Sequence, residues 1–256
     1  MGSDYDNKHD QYDELWSGGA RFYRSDSAYP LGSDAILLAN FARIKSGDRG
    51  IDLGAGAGYI AILLALSETS AHFDCIELES DAANLCRLNV TLNSLDGRVS
   101  VYESDLRRYR DTLSAGVFDL VVSNPPYFRV GSGRGSTSPQ RSMAREESSL
   151  SLNELLDAAG YLCRFGGRVA LVHRAERLTP LLREMSVRGI EPKRLRFVHA
   201  RAGSEASLVL VEGRRGGKPG VVVEPALLLR DEDGNSAPEL CADYRFRYGG
   251  SEEGEA

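Results

Sequence analysis

Strand-like and helix-like segments alternate along most of this chain, and that alternation constrains its fold more than any other feature. Predicted strands lie at 50–54, 72–78, 99–103, 118–123 and 168–173, and predicted helices at 31–42, 59–66, 81–92, 152–162 and 175–188. Strands connected by helices form parallel sheets with right-handed crossovers. The pattern therefore predicts an α/β fold with a doubly wound, mostly parallel sheet, preceded by a short N-terminal helical extension.

The ends of the chain differ from this pattern. Two late strand patterns, 194–199 and 207–212, are separated by a short glycine-containing connection, which predicts an antiparallel hairpin at one edge of the sheet. The polar residues 1–18 and the acidic residues 249–256 predict disordered tails. Residues 19–248 are then a single domain.

Composition excludes several classes of protein. No apolar run reaches the ~18 residues of a membrane span, and the acidic start MGSDYDNKHDQYDE is not typical of a signal peptide. The cysteines, Cys75, Cys86, Cys163 and Cys241, have no metal-ligand spacing. We therefore expect reduced thiols, a cytoplasmic location and no metal site.

Charge is distributed unevenly. The net charge of −6 argues against non-specific polyanion binding, yet residues 188–218 contain eight Lys and Arg against three Glu. That local excess suits a structured nucleic acid, and equally a solvated arginine-rich surface. Charge alone leaves both open.

A glycine-rich turn follows the first strand. Gly54, Gly56 and Gly58 alternate after Asp52, so the backbone can turn tightly and approach a ligand closely. The spacing also satisfies a dinucleotide-binding fingerprint. Asp52, however, would attract a cationic ligand and repel a pyrophosphate.

Acidic residues follow the next two strands. Glu77 can accept hydrogen bonds from ribose hydroxyls, and Asp105 with Leu106 can serve the amino group and the face of an adenine. NAD and S-adenosylmethionine both offer these groups. With Asp52 included, the set favours a methyltransferase over a dehydrogenase without excluding the latter.

The run Asn124-Pro125-Pro126-Tyr127 follows the fourth strand. The prolines donate no backbone hydrogen bond, and Asn124 before a proline is held extended. An amide, carbonyl oxygens and a ring are thereby placed at a strand's carboxyl end, where α/β sheets bind ligands. The run can bind a planar amine, although a proline-rich turn that only ends a strand has the same residues. A nicotinamide enzyme has no evident use for it there, so it decides for methyl transfer.

Together these motifs resemble class I S-adenosylmethionine-dependent amino methyltransferases. Beyond them, FYRSDSAYPLGSDAILLANF, NPPYF with a downstream AREE, GGRVALVHRAERL, EPKRLRFVHARAGSEASLVLVEG and GKPGVVVEP resemble the bacterial tRNA adenine-N6 methyltransferases that act on valine tRNA. The likeness covers roughly residues 20–240. It implies a Rossmann-like, seven-stranded sheet, S-adenosylmethionine as cofactor, and tRNA as partner, with the methyl placed on adenine N6 at position 37 of the anticodon loop.

The resemblance also implies roles for residues. The predicted catalytic residues are Asn124, Pro125, Pro126 and Tyr127, and the predicted cofactor contacts are Asp34, Asp52, Gly54, Ala55, Gly56, Gly58, Tyr59, Glu77, Leu78, Asp105, Leu106 and Asn124. The predicted RNA contacts are Tyr127, Phe128, Arg129, Arg141, Arg145, Arg174, Arg177, Lys193, Arg194 and Arg196. The oligomeric state is left open between monomer and homodimer.

Two alternative functions remain at this point. Because the Asn-Pro-Pro-Tyr run serves any planar amine, the substrate is alternatively rRNA, DNA or a protein glutamine. A tRNA-binding module that kept the fold without turnover is the other. The presence of Asp52, Glu77, Asp105 and Asn124 argues against a module without activity.

Overall fold

The computed structural model describes residues 12–16, 18–23, 31–125 and 150–237, which build a central sheet covered by helices. The strands are β1 (Tyr12–Glu14), β2 (Arg21–Tyr23), β3 (Arg49–Leu53), β4 (His72–Glu77), β5 (Val99–Glu103), β6 (Phe118–Ser123), β7 (Cys163–Arg174), β8 (Ile190–His199), β9 (Ala206–Arg215), β10 (Val222–Val223) and β11 (Leu227–Leu228). The α-helices are α1 (Ser33–Phe41), α2 (Tyr59–Ser67), α3 (Ser80–Leu92), α4 (Tyr109–Thr112), α5 (Leu152–Leu162) and α6 (Leu178–Val187). Short 3₁₀ turns cover Leu106–Arg108 and Ala175–Arg177.

The order of the strands confirms the predicted doubly wound sheet. It runs β10-β8-β9-β7-β6-β3-β4-β5, and β11 also pairs with β8. Strands β3 to β7 are parallel to one another, whereas β9 is antiparallel to both β7 and β8. The chain passes from β3 outwards to β5 and then returns to β6 on the other side of β3. The carboxyl ends of β3 and β6 therefore form the switch point where such sheets bind ligands.

The number of strands exceeds the seven implied by the resemblance. Seven strands of this sheet have five residues or more, and the two-residue strands β10 and β11 both add to β8, giving nine in the described part of the chain. The predicted edge hairpin is β8–β9. A strand of two residues is too short to show the alternation of apolar and polar side chains, so the sequence did not predict β10 and β11.

Two apolar cores lie on the two faces of the sheet. On one face, the central strands pack against α1, α2 and α3; on the other, they pack against α5 and α6. Ile51 and Leu53 of β3 belong to the second core. Because side chains alternate along a strand, Asp52 faces the α1–α3 side.

The N-terminal segment contains structure that was not predicted. Tyr12–Glu14 pairs antiparallel with Arg21–Tyr23, and Leu15 and Trp16 pack against the first core. The prediction of a disordered tail over 1–18 is therefore wrong at these residues. Their polar sequence hid strand β1, which is held by pairing with β2. Strand β2 is in turn attached to α3, as described below.

The structure also bears on membranes and metals. None of the helices it describes is long and apolar enough to cross a membrane. Within the same ranges, no three His, Cys, Asp or Glu side chains are grouped closely enough to hold a metal ion.

Candidate active site

The glycine-rich loop after β3 is the first component of the site. Gly54, Gly56 and Gly58 have φ angles of 74°, 55° and 83°, which L side chains rarely adopt. A Cβ on Gly58 would in addition lie 2.5 Å from Sγ of Cys86. The loop therefore requires glycine, and it leads directly into α2 at Tyr59.

Glu77, at the end of β4, holds this loop in place. Its Oε2 accepts a 2.7 Å hydrogen bond from the N–H of Gly56, and its Oε1 accepts one of 2.9 Å from the N–H of Glu79. The N–H of Gly54 donates to the carbonyl of Ile76 at 2.9 Å. A carboxylate has about four acceptor positions, so Glu77 keeps capacity for the ribose hydroxyls expected from the sequence. That contact stays a prediction.

Asp52 is a buried acid in the middle of the site. Its side chain is fully buried, and neither carboxylate oxygen has a hydrogen-bond partner of standard geometry in the described ranges. Burial, and next the negative charge of Glu77, raise the pKa of Asp52 to about 7, while the backbone of Ala61 acts weakly in the opposite direction. A buried charge needs a partner. The carboxylate therefore fits a cofactor that carries positive charge.

Strand register brings Asn124 to the same edge of the sheet. Asp52 pairs with Val122 of β6, so Asn124 lies two residues beyond this pair, beside the glycine-rich loop. The buried Oγ of Ser123 donates a 2.6 Å hydrogen bond to the carbonyl of Leu53. This bond ties the end of β6 to the start of the loop and sets the position of Asn124.

Part of the predicted site cannot be placed. Asn124 and Pro125 are half-buried, and they end one described part of the chain; the next part begins at residue 150. Pro126, Tyr127, Phe128, Arg129, Arg141 and Arg145 lie outside the described residues. Their roles in catalysis and RNA binding stay predictions.

The predicted adenine end of the site contains an ion pair. Both oxygens of Asp105 accept hydrogen bonds from Arg107, with the closest contact at 2.7 Å from Nη2. The hydrogen bonds from the Arg107 side chain are the main cause of a lowered pKa of Asp105. Leu106 is only 6% exposed and serves the second core, whereas Leu78 is 41% exposed at the end of β4. Leu78 is therefore the leucine that is open to a ligand.

Two other predicted cofactor residues lie on the α1–α2 side. Asp34 is in the first turn of α1 and accepts a 3.4 Å hydrogen bond from Ser33. Tyr59 begins α2 and packs edge-on against Phe22 of β2, with ring centroids 4.9 Å apart. Burial raises the pKa of the Tyr59 hydroxyl. The N-terminal strand thus borders the glycine-rich loop.

Asn89 of α3 and Asn93, at the C-terminal end of this helix, attach β2 to this site, and neither was predicted. Oδ1 of the fully buried Asn89 accepts from the N–H of Tyr23 at 2.9 Å, and its Nδ2 donates to the carbonyl of Ala57 at 3.0 Å. Asn93 exchanges hydrogen bonds of 2.9 and 2.7 Å with the backbone of Arg21. Amides four residues apart share one helix face, and that spacing was the available signal.

The predicted RNA contacts divide between the two edges of the sheet. Arg174 ends β7 and Arg177 lies in the turn that follows, so both share the carboxyl edge with Asn124. Strand β8 runs in the same direction as β7, because both are antiparallel to β9. Lys193, near the start of β8, therefore lies towards the opposite edge.

Arg194 belongs to the interior. Its guanidinium lies 4.2 Å from the ring centroid of Phe41 and pairs with Glu224 at 2.9 Å and with Glu212 at 3.6 Å. Its side chain is 11% exposed. Arg196 donates to the carbonyl of Pro225 at 3.1 Å. The structure thus assigns Arg194 to packing against α1 instead of the predicted RNA contact.

Known proteins resemble this chain over most of its length. The family model described as "Methyltransferase small domain" matches residues 28–177. A protein of Aeromonas hydrophila subsp. hydrophila named tRNA1(Val) (adenine(37)-N6)-methyltransferase is 35% identical over 190 residues, which are 74% of this chain and 78% of that protein. A protein of Tolumonas auensis with the same name is 31% identical over 218 residues, or 84% of this chain and 88% of that protein.

Comparison with solved structures supports the fold. A predicted O-methyltransferase from Agrobacterium tumefaciens superposes with a TM-score of 0.67 at 21% identity. The match covers 84% of this chain and 96% of that chain. The central sheet with its switch point between β3 and β6 is thus a methyltransferase fold.

Proposed function

We propose a function on the premise that this chain belongs to the methyltransferase small domain family and, within it, to the tRNA1(Val) (adenine(37)-N6)-methyltransferases. In this proposal the protein transfers a methyl group from S-adenosylmethionine to N6 of an adenine in tRNA, at position 37 of the anticodon loop. One observation carries this proposal: Asn124 lies at the same sheet edge as Asp52, whose buried carboxylate has no hydrogen-bond partner of standard geometry in the described part of the chain.

The cofactor would be held by the glycine-rich loop and its acidic neighbours. S-adenosylmethionine supplies a methyl group on a positively charged sulfur. Asp52 would offset positive charge of the ligand, which in turn would lower the raised pKa of this buried acid. Glu77 would accept from the ribose, and Asp105 from the adenine amino group while sharing its oxygens with Arg107. Leu78 would cover one face of the adenine.

Catalysis would rest on the carbonyl oxygens that follow β6. The lone pair of N6 is delocalised into the adenine ring, so the amine is a poor nucleophile. Oδ1 of Asn124 and the carbonyl of Pro125 would accept its two hydrogens and favour a pyramidal nitrogen with a free lone pair. Acceptors fixed before reaction stabilise charge as it develops. S-adenosylmethionine would supply the methyl group to this nitrogen, its sulfur would keep the electron pair of the broken bond, and one N6 proton would leave to solvent.

RNA would approach this edge with its anticodon loop. A loop nucleotide is already partly unstacked, which lowers the cost of turning it out. Tyr127 or Phe128 would stack on the base. Arg174 and Arg177 lie at the same carboxyl edge of the sheet as Asn124 and would contact phosphates there. We expect Arg129, Arg141 and Arg145 to contribute from the segment after the catalytic run.

Methylation by two asparagine variants tests the proposal. Asn124→Ala should reduce kcat about 10²–10³-fold, the loss typical of one oriented group, while calorimetry finds an unchanged Kd for S-adenosylhomocysteine. The matched control is Asn153→Ala, an exposed residue of α5, which should behave as wild type. Equal kcat values for Asn124→Ala and wild type would refute the catalytic role.

Substrate class is tested separately with the wild-type protein. Unmodified tRNA, rRNA, duplex DNA and a glutamine-containing peptide are each incubated with methyl-labelled cofactor. We expect label in tRNA as N6-methyladenine. Label in another of these substrates instead would replace the substrate assignment and keep the chemistry, and binding of tRNA without label in any of them would indicate the module without turnover.

A further inference from the structure

A basic concavity lies at the edge of the sheet opposite the candidate active site. Its volume is about 560 Å³, and it lies where β7 begins and β9 ends. Its charged and aromatic lining residues are Arg164, Phe165, Lys193, Arg214 and Lys218, which we call the amino-edge patch. Arg214 and Lys218 belong to the basic stretch 188–218. They have no role in the mechanism proposed for the catalytic edge, which is the carboxyl edge of the sheet that carries Asn124.

Positive charge in this patch is only partly compensated. Arg164 forms an ion pair with Asp119. Lys193 donates to the carbonyl of Lys218 at 3.1 Å, and Arg214 to that of Gly166 at 3.2 Å. These carbonyl bonds hold the side chains together without neutralising them. In the described ranges, no ion-pair partner lies within 4.0 Å of Lys193, Arg214 or Lys218, so the patch attracts anions.

Phe165 distinguishes this patch from an ordinary solvated surface. Its side chain is 76% exposed, although it lies on β7. One side of the ring rests on Gly216, where a Cβ would come within 2.0 Å of it. The rest of the ring is exposed to solvent between cations. An exposed ring within a basic groove is the arrangement that binds unstacked bases and their phosphates.

The patch is too far from the catalytic edge to hold the target nucleotide. Arg174 lies nine residues after Phe165, and the regularly paired part of β7, Arg168–Arg174, alone spans about 20 Å at ~3.3 Å per residue. Only a longer, structured RNA reaches both edges. We propose that the amino-edge patch is a second RNA-binding surface, which takes the sugar-phosphate backbone and one unstacked base of the substrate tRNA outside its anticodon loop. This inference rests on the proposed function.

An RNA partner explains more of the patch than an acidic protein does. Acidic side chains would pair with the cations but would have no use for the ring of Phe165. A polyanion with bases uses both. A tRNA would also bring the separated basic residues, Arg174 and Arg177 at one edge and the patch at the other, onto one molecule.

Binding of two RNAs across a range of salt concentrations tests this inference. The RNAs are full-length unmodified tRNA and the isolated anticodon stem-loop, and the charge variant is Arg214→Gln/Lys218→Gln. For full-length tRNA the variant should raise Kd about tenfold at 0.15 M salt and reduce the log Kd–log salt slope by about 1.5, since each phosphate contact contributes ~0.7–0.9. The Kd for the stem-loop should stay unchanged. The matched control, Arg43→Gln/Arg183→Gln, removes two exposed charges elsewhere and should leave both values as in wild type.

A second variant tests the stacking part. Phe165→Ala should raise the Kd for full-length tRNA several-fold with no change in salt slope, because it removes an aromatic face and no charge. Thermal melts with unchanged Tm establish that both variants fold. The inference is overturned if full-length tRNA binds the variants as it binds wild type, or if stem-loop binding falls equally. Methylation of full-length tRNA by the wild-type protein decides the proposed function independently: its absence refutes that function, whereas unchanged tRNA binding in the variants refutes the patch.

Discussion

Replacing Asp52 with asparagine should stabilise the protein without cofactor, since it removes a buried charge at nearly constant size. The pKa of Asp52 is raised from 3.8 to about 7, chiefly by burial. One pKa unit corresponds to ~1.4 kcal/mol, so ionisation of this acid costs up to about 4 kcal/mol of folding free energy. A buried asparagine amide without partners costs ~1–3 kcal/mol of its own at every pH. The pH dependence of the difference is therefore the informative quantity.

The sign follows from the raised pKa. Below pH 3.8 the carboxyl is protonated in both the folded and unfolded states and costs nothing. Between pH 3.8 and 7 the unfolded state ionises first, so wild type loses stability relative to the variant, and above pH 7 the difference is constant. The free energy of unfolding of Asp52→Asn minus that of wild type should thus grow by about 2–3 kcal/mol from pH 5 to pH 8.

Urea unfolding at pH 5 and pH 8, without ligand, measures this difference. Asp81→Asn is the matched control, because Asp81 is exposed in the first turn of α3 and should follow the wild-type pH profile. If Asp52→Asn also follows it, the carboxyl is not a buried, destabilising acid, and the argument that it awaits a cationic ligand fails.

A second measurement on Asp52→Asn and three other substitutions test single contacts. Asp52→Asn should weaken binding of S-adenosylmethionine at pH 8. Calorimetry is run in parallel with S-adenosylhomocysteine: weaker binding of both ligands assigns the contact to the amino group, and weaker binding of S-adenosylmethionine alone assigns it to the sulfonium. Unchanged affinity for both would contradict the contact. Asn89→Ala should lower the free energy of unfolding by about 2 kcal/mol and raise the cofactor Kd, because the carbonyl of Ala57 loses its donor; an unaltered Kd would show that this bond does not support the loop. Gly58→Ala should cost more than ~1 kcal/mol of stability in urea unfolding, from positive φ and the contact with Cys86, and a neutral result would refute the loop geometry. Arg194→Gln should lower stability by roughly 3 kcal/mol and leave the tRNA Kd unchanged; the reverse outcome would restore the RNA contact that the sequence suggested.

Local patterns predicted most of the fold. The helix at 152–162 was predicted with the bounds observed for α5, whose Ser151 and Glu154 form a capping box. The strand at 118–123 was likewise predicted with the bounds of β6. Both segments carry their signal in neighbouring residues, because apolar periodicity and end residues are local properties.

Contacts between distant residues account for what was missed. Strand β2 is held by side chains of Asn89 and Asn93, which are 66 or more positions away. Arg194 is enclosed by Phe41 of α1 and by Glu224. A polar segment and an arginine in a basic run look exposed in sequence, and only the fold supplies their partners. For the site, residue types were predictable, whereas the loop contact of Glu77 was not.

Mapping the methylated nucleotide tests the central claim most directly. Unmodified valine tRNA with adenine at position 37 is incubated with the wild-type protein and labelled S-adenosylmethionine, digested, and analysed by mass spectrometry beside the same tRNA carrying guanine at that position. The account predicts one N6-methyladenosine at position 37 in the first tRNA and no label in the second. Equal labelling of both tRNAs, or a methyl group at another nucleotide, would contradict it.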